Sequence, residues 1–291
     1  MSTITGKVLK RALQKLPLLP PDAKKAIKAI TPSRVRSWYI AKSSDAYLLS
    51  FPKCGRTWLR IMLGKVIQLH YQLPEDVNLV NIGFLASINP EIPRIHISHD
   101  EGPQWKKPAE LEKSKSQYAG KKVILLVRNP RDVLVSNYFQ ETKREGCTHK
   151  DISAYLRAES GSVDTLLTWY NIWADNRHLP SEFCLVQYEN LHLDTLGELR
   201  NILAILGMED VSDAHINEAI HYASFDNMRK LEKSDSFNSP KLRPTNIDDP
   251  ESYKTRRGKV GGFTDYLGVA DIEYVDQKIR NQLSDFYSSY K

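Results

Sequence analysis

The chain has 291 residues, 41% of them hydrophobic and 26% charged, with a formal net charge of +6. That length supports one sizeable buried core, the composition is ordinary for a soluble enzyme, and no apolar run approaches the twenty or so residues of a membrane-spanning helix. The three cysteines, Cys54, Cys147 and Cys184, are far apart and form no C-x-x-C pair, which argues against a disulfide framework and for a reducing, cytoplasmic compartment.

The basic excess is confined to the start of the chain. Residues 1–42 hold ten Lys and Arg against the single acid Asp22, whereas the remaining 249 residues hold 31 basic against 34 acidic side chains. A basic balance so localised is no nucleic-acid footprint, and no nucleic-acid partner is expected. Leu9, Ala12, Leu13 and Leu16 fall at helical spacing, Pro20-Pro21 interrupt, and Asp22 can cap a second short helix bearing Ala23, Ile27 and Ile30. Residues 1–45 thus read as a basic amphipathic arm. It suits either weak contact with an anionic membrane surface through residues 1–42 or packing of its apolar stripe on the parent domain, residues 46–291.

After the arm come a strand from about 46, helix 57–71, a loop region to about 91, strands 92–98 and 122–127, and helices 131–142, 151–156 and 162–177. Strand 183–188, helices 194–206 and 212–222, a loop over 233–262 and a terminal helix 271–288 complete the chain. Strands alternating with helices predict an α/β fold, a P-loop-like three-layer αβα arrangement with a central parallel sheet. The polar, Pro- and Gly-bearing stretch from about 230 to 265 reads as a mobile lid.

Two strand-to-helix turns carry the chemistry. Tyr47-Leu-Leu-Ser-Phe-Pro-Lys53-Cys-Gly55-Arg56-Thr57-Trp58 runs from an apolar strand into a helix, so backbone N–H groups at the helix start aim where an anion can sit, with Lys53, Arg56 and Thr57 adding charge and donors. It is not a Walker A loop, because the lysine precedes the single glycine by two residues; a magnesium triphosphatase or P-loop kinase is disfavoured. The second turn, Arg128-Asn-Pro-Arg-Asp-Val-Leu-Val-Ser136, follows the buried run Val123–Val127. A guanidinium and a hydroxyl eight residues apart across such a turn can converge on one dianion.

In this order the two turns resemble the phosphate motifs of the cytosolic-type sulfotransferases, the small-molecule branch, with a sequence closer to bacterial members. The family loop is Y-P-K-S-G-T-T-W, so Cys54 and Arg56 stand for a serine and a threonine. The second motif is R-[ND]-P-[KR]-D-x-x-V-S, with every fixed position filled. The likeness spans about residues 46–268 and implies PAPS (3′-phosphoadenosine-5′-phosphosulfate) as co-substrate and no metal. It assigns Lys53, Cys54, Gly55, Arg56, Thr57 and Trp58 to the 5′-phosphosulfate loop and Arg128 and Ser136 to the 3′-phosphate. Tyr188, Ser224, Phe225 and Met228 fall on the adenine side, and Arg256, Arg257 and Gly258 close over the 3′-phosphate. Two departures stand out: Lys254-Thr255 replaces the usual Phe-Met, and Gly262-Phe263 replaces Asp-Trp. The family's short K-x-x-x-T-V dimer motif is not found, which leaves the oligomeric state open.

Sulfuryl transfer needs a base for the acceptor hydroxyl or amine. The family carries K-T-H between the two motifs, and Ser98-His99 matches its T-H pair, making His99 the expected base with His96 the alternative. The family lysine is Ile97, so Lys53, Arg94 or Lys106 is expected to supply the missing charge. Cys54, beside Lys53 at a helix start, is either a thiol of lowered pKa or a small residue tolerated by the turn. The acceptor, a small molecule of natural-product, lipid or glycan type, is expected against 79–89, 139–148 and 233–255, with Phe84, Phe139 and Tyr253. A noncatalytic nucleotide-binding protein would keep the phosphate residues without needing His99.

Overall fold

The computed structural model describes residues 42–291 apart from 150, 238, 240 and 241. The amphipathic helices expected in the basic arm fall within residues 1–41 and lie outside the described residues. Four strands form one sheet in the order β2-β1-β3-β4: β1 (Ala46–Ser50), β2 (Ile95–Ser98), β3 (Lys122–Val127) and β4 (Glu182–Gln187). All pairs are parallel, with Leu49 opposite Ser98, Ser50 opposite Leu126, and Val127 opposite Gln187. Flanking helices cover the sheet, so β1 is buried at every position and β3 at all but its first. That burial is why both strands read as continuous apolar runs rather than alternating ones.

The helices are α1 (Arg56–His70), α2 (Ile82–Leu85), α3 (Pro130–Arg144), α4 (Ile152–Leu156), α5 (Val163–Asn176), α6 (Tyr188–Leu193), α7 (Thr195–Leu206), α8 (Asp213–Tyr222), α9 (Phe225–Lys233) and α10 (Val269–Gln282). Most ends have visible causes. Asn129 caps α3 by accepting from Arg131 N–H with Pro130 in the first turn, Asp194 caps α7, and Gly207 ends α7 at φ 75°. Three expectations are corrected. Tyr188 opens a helix instead of closing β4, α9 occupies residues left between the expected helix 212–222 and the loop from 233, and the terminal helix stops at Gln282 and gives way to 3₁₀ turns over Asp285–Tyr290.

The strand order places the chemistry. From β1 the chain crosses to β2 on one side and β3 on the other, and this reversal opens a crevice at the carboxyl ends of the strands. Beyond Ser50 lies the Lys53 loop, beyond Ser98 lies His99, beyond Val127 lies Arg128, and beyond Gln187 lies Tyr188. Beneath them, Trp169, Tyr170 and Trp173 on α5 are fully buried with Phe51 and Tyr287, a rigid aromatic floor.

Candidate active site

The crevice is a cavity of about 800 Å³. Eight cationic side chains line it, Lys53, Arg56, Arg60, Arg128, Lys254, Arg256, Arg257 and Lys259, against two carboxylates, Asp132 and Glu145. Of the residues assigned from the sequence to the donor site and to the base His99, all line it except Cys54.

The first wall is the loop after β1. Lys53 and Gly55 both take left-handed backbone conformations, φ 72° and 94°. The lysine carries the strain of order 1–3 kcal/mol that marks functional turns. At Gly55 a Cβ would lie 2.5 Å from the Tyr188 ring, so only glycine lets that ring close on the loop. Gly55 also caps α1 without a side-chain bond, and Leu59 N–H is the first to reach back, to Gly55 O at 3.2 Å. The N–H groups of Arg56, Thr57 and Trp58 therefore face the crevice, and no acid sits in that turn. Lys53 Nζ donates to Gln140 Oε1 at 3.0 Å, and burial, followed by the charges of Lys254, Arg144, Arg256 and Arg128, holds its pKa well below the ordinary lysine value. Cys54 turns the other way: it is 0% exposed, its Sγ lies 3.5 Å from Tyr170 Oη, and burial pushes the thiol up to about 12. It is a core thiol, so only its backbone can face a ligand, and the lowered pKa considered from the sequence is corrected.

Arg128 is held from three sides. Its N–H donates to Tyr170 Oη at 3.0 Å while that hydroxyl donates to Arg128 O at 2.8 Å, pinning the backbone to the aromatic floor. The guanidinium lies 4.3 Å over the Tyr188 ring, donates to Lys259 O at 3.0 Å and Lys53 O at 3.4 Å, and leaves Nε buried without a partner among the described residues. Its ion pair with Asp132, at 3.4 Å, is also present. Asp132 does more than cap: Oδ2 accepts from Gly261 N–H at 2.8 Å and Oδ1 from Phe263 N–H at 2.9 Å, clasping the C-terminal segment. Glu232 makes a second clasp, accepting from Lys254 N–H at 2.9 Å and Thr255 N–H at 2.7 Å. The segment expected as a lid thus begins inside α9 and is fastened by two buried carboxylates. Ser136, two turns into α3, lines the same cavity.

The third wall is aromatic. Trp58 donates Nε1 to Ala223 O at 2.9 Å and lies 4.7 Å from the His192 ring, which in turn lies 4.7 Å from Tyr188. Phe225 is 42% exposed toward this space, while Met228 is buried behind it. A Cβ on Gly258, at φ 59°, would lie 2.8 Å from the Phe225 ring, which explains glycine there. Arg256 packs 4.6 Å over Phe139 and pairs with Glu251 at 2.8 Å, as Arg257 does at 3.3 Å.

A model of the sulfotransferase domain family matches residues 43–287. The chain belongs to the sulfotransferase family. Among curated relatives of this sulfotransferase, mouse (Mus musculus) sulfotransferase 2A1 is 28% identical over 278 residues, covering 87% of this chain and 88% of the relative. Human (Homo sapiens) sulfotransferase 2A1 is 29% identical over 269 residues, with 87% and 88% covered. Arabidopsis thaliana cytosolic sulfotransferase 12 is 24% identical, with 83% and 78% covered. The fold is similar to that of mouse sulfotransferase SULT7A1 complexed with PAP, with TM-score 0.56, 19% identity, and 87% and 92% of the two chains covered.

At the end of β2, this sulfotransferase presents His99 to the cavity, and His96 turns aside against Tyr47, ring centroids 5.5 Å apart. His99 Nδ1 lies 2.9 Å from Ser50 O, so Nδ1 carries the proton and Nε2 the lone pair, which accepts from Arg56 Nη2 at 2.6 Å. Burial first, and Arg56 next, lower the imidazole to about 3, so it is neutral at working pH. The residues after it, Asp100, Glu101 and Gly102, are all left-handed, at φ 54°, 74° and 68°. Buried Asp100 holds that reversal by pairing with Lys115 Nζ at 2.6 Å and accepting from Tyr118 Oη at 2.8 Å and Trp173 Nε1 at 3.2 Å.

Two expectations about charge and acceptor are corrected. Arg94 pairs with Asp45 and Lys106 with Glu101, both away from the cavity. The ammonium that joins Lys53 is that of Lys254, whose Nζ donates to the same Gln140 Oε1 at 3.2 Å. Burial, then Arg144 and Arg56, lower Lys254 to about 8. Its substitution for the family's Phe-Met pair was the visible signal. Phe84, Phe139 and Tyr253 do not line the cavity: Phe139 stacks on Tyr266 at 4.9 Å, and Tyr253 is buried under Arg229. The expected segments 139–148 and 233–255 do reach it through Gln140, Glu145, Leu242, Lys254 and Thr255, with Arg60 and Gln104 lining it besides. Among the described residues no group of three or more His, Cys, Asp or Glu could hold a metal ion, and no helix is long and apolar enough to cross a membrane.

Proposed function

We propose that this sulfotransferase moves a sulfuryl group from PAPS to a hydroxyl or amine of a small-molecule acceptor by in-line displacement, with His99 as general base. What supports the reading above all is the meeting, at one sheet edge, of two cationic strand-to-helix turns with an imidazole whose Nε2 faces the cavity. The donor's phosphate and phosphosulfate groups carry about −4 together, a charge suited to a cavity with eight cations, two carboxylates and unpartnered buried nitrogens on Arg128 and Arg256. When bound, PAPS supplies the sulfuryl group and leaves as adenosine 3′,5′-bisphosphate.

Arg128 and Ser136 hold the 3′-phosphate, with Arg256, Arg257 and the bare Gly258 backbone closing over it. Lys53, Thr57 and the N–H groups opening α1 hold the 5′ end, and Trp58, Tyr188, Ser224, Phe225 and Met228 surround the adenine. Lys53 and Lys254, converging on Gln140 Oε1, neutralise charge on the departing phosphate, Lys254 in the place of the family lysine. His99 Nε2 takes the acceptor proton as the new O–S or N–S bond forms and the S–O bond to the phosphate breaks with its electron pair. Nδ1–H, donating to Ser50 O, keeps the ring in the required tautomer. The cysteines are free, in keeping with a reducing cytoplasm. Calorimetry with adenosine 3′,5′-bisphosphate, followed by mass spectrometry of products from labelled PAPS and an acceptor panel, tests the reading. Binding together with sulfated product supports it; bound but unconsumed PAPS favours a noncatalytic binder, and absence of binding overturns the donor site.

A further inference from the structure

We infer that Arg56 recognises the acceptor, and that the acceptor carries an anionic group, carboxylate or phosphate, beside the hydroxyl or amine that attacks. The inference rests on His99 as the base.

Arg56 occupies the first position of α1, and its two terminal nitrogens stand in different situations. Nη2 is 2.6 Å from His99 Nε2, and Nη1 is buried with no hydrogen-bond partner among the described residues. Arg60, one turn further along the helix, bonds Val80 O through Nη2 and leaves Nε buried with no partner among the described residues. Both line the cavity, and neither meets a carboxylate there. Asp132 is occupied by Gly261, Phe263 and Arg128, and Glu145 accepts from Gln140 Nε2 at 2.9 Å. Burial, with the neighbouring Arg60 charge, brings Arg56 down to about 9. Burying a cation with an unused donor is costly, and an oxyanion that accepts from that donor removes the cost.

The position of Arg56 says which oxyanion. Its head covers the nitrogen that must take the acceptor proton, so the base is masked until the guanidinium shifts. A neutral acceptor has to break a 2.6 Å charge-assisted bond with nothing offered in exchange. An acceptor with a carboxylate or phosphate next to its nucleophile draws Arg56 onto that anion and leaves Nε2 open to the adjacent O–H or N–H. The donor has its own cations in Lys53, Arg128, Arg256 and Arg257.

The test uses the full chain loaded with adenosine 3′,5′-bisphosphate for binding, and with PAPS for turnover. Its probes are hydroxycarboxylic acids paired with their methyl esters, and sugar phosphates paired with the free sugars. The acid or phosphate should bind about tenfold or more tightly than its neutral partner and show a similar excess in kcat/KM, the scale of one charged hydrogen bond. The two sets of pairs separate carboxylate from phosphate. Arg56→Thr restores the residue common in the family loop; it should abolish the ratio, Arg56→Lys should retain part of it, and bisphosphate affinity is measured on the same variants. Equal binding of both members of every pair, or a ratio that survives Arg56→Thr, overturns the inference while leaving the donor reading intact. Bisphosphate affinity that collapses in Arg56→Thr with the ratio unchanged assigns Arg56 to the donor and overturns it too. Failure of the parent chain to bind the bisphosphate removes both readings together.

Discussion

The two ends of the cavity are built on opposite plans. At the Arg128 end each cation is already answered by protein: carbonyls of Lys53 and Lys259, the Asp132 and Glu251 carboxylates, and aromatic faces. Unused buried nitrogens occur at both ends, but at the Arg56 end neither Arg56 nor Arg60 meets a carboxylate among the described residues, and Arg56 leans on the imidazole. The first end is rigid before any ligand arrives, because four segments share its hydrogen bonds. The second end is completed by what enters it. On the proposed reading, a pocket so divided holds a constant donor at the first end and discriminates among acceptors at the second.

The widest gap between the ends should appear in His99→Ala. Turnover is expected to fall about 10²-fold or more while bisphosphate affinity by calorimetry stays level; equal losses in both would merge the two ends. Arg128→Ala should do the reverse, weakening the bisphosphate by about 10- to 100-fold through loss of charged hydrogen bonds, a loss visible in calorimetry without any acceptor present. Lys254→Met should cut single-turnover sulfuryl transfer by about tenfold with a smaller effect on binding. An unchanged rate would leave Lys53 as the sole cation at the leaving group.

Two titrations sharpen the contrast more finely. Lys254 sits at about 8 without ligand, so bringing phosphate beside it raises its pKa, and bisphosphate binding at pH 8.5 should take up protons. Calorimetry in buffers of differing ionisation enthalpy reads that uptake, and Lys254→Met should reduce it. For His99 the folded value of about 3 lies below the ordinary 6.5, so the unfolded chain binds the extra proton between them. Its stability contribution is whole above about pH 6.5 and declines as pH falls toward 3, by at most about 1.4 kcal/mol per pH unit. Denaturant titrations from pH 7 to 5 should show a shallower decline for His99→Gln than for the parent.

The donor end was legible in the sequence because its residues are local to turns whose form the chain announces. Apolar runs ending in Pro52 and in Arg128-Asn-Pro130 give strands that stop and helices that start, and a parallel sheet puts both stops on one edge. Asp132 was visible within its motif, yet its grip on Gly261 and Phe263 spans about 130 residues of sequence and depends on a fold no local pattern encodes. The same distance hid the turn of Cys54 toward Tyr170 and the arrival of Lys254 beside Lys53. Aromatic residues expected around the acceptor failed for a plainer reason. Phe139 and Tyr253 find cationic partners in Arg256 and Arg229 and are spent as packing. Helix α9, with alternating charge and few apolar residues, owes its place to Met228 and Glu232 beneath it, a tertiary cause.

The backward bend at Asp100, Glu101 and Gly102 has a bearing on which errors this molecule tolerates. In a strand, sliding the pairing by one residue exchanges the two faces. A slip of β2 against β1 would carry His99 away from the cavity and present a serine, and the chain would still look folded. Asp100, tethered to Lys115, Tyr118 and Trp173, allows only one alignment, so it works as an index pin for the strand. A one-residue insertion or deletion within 95–98 would therefore shift Ile95 and its neighbours against β1 while Asp100 keeps His99 at the cavity.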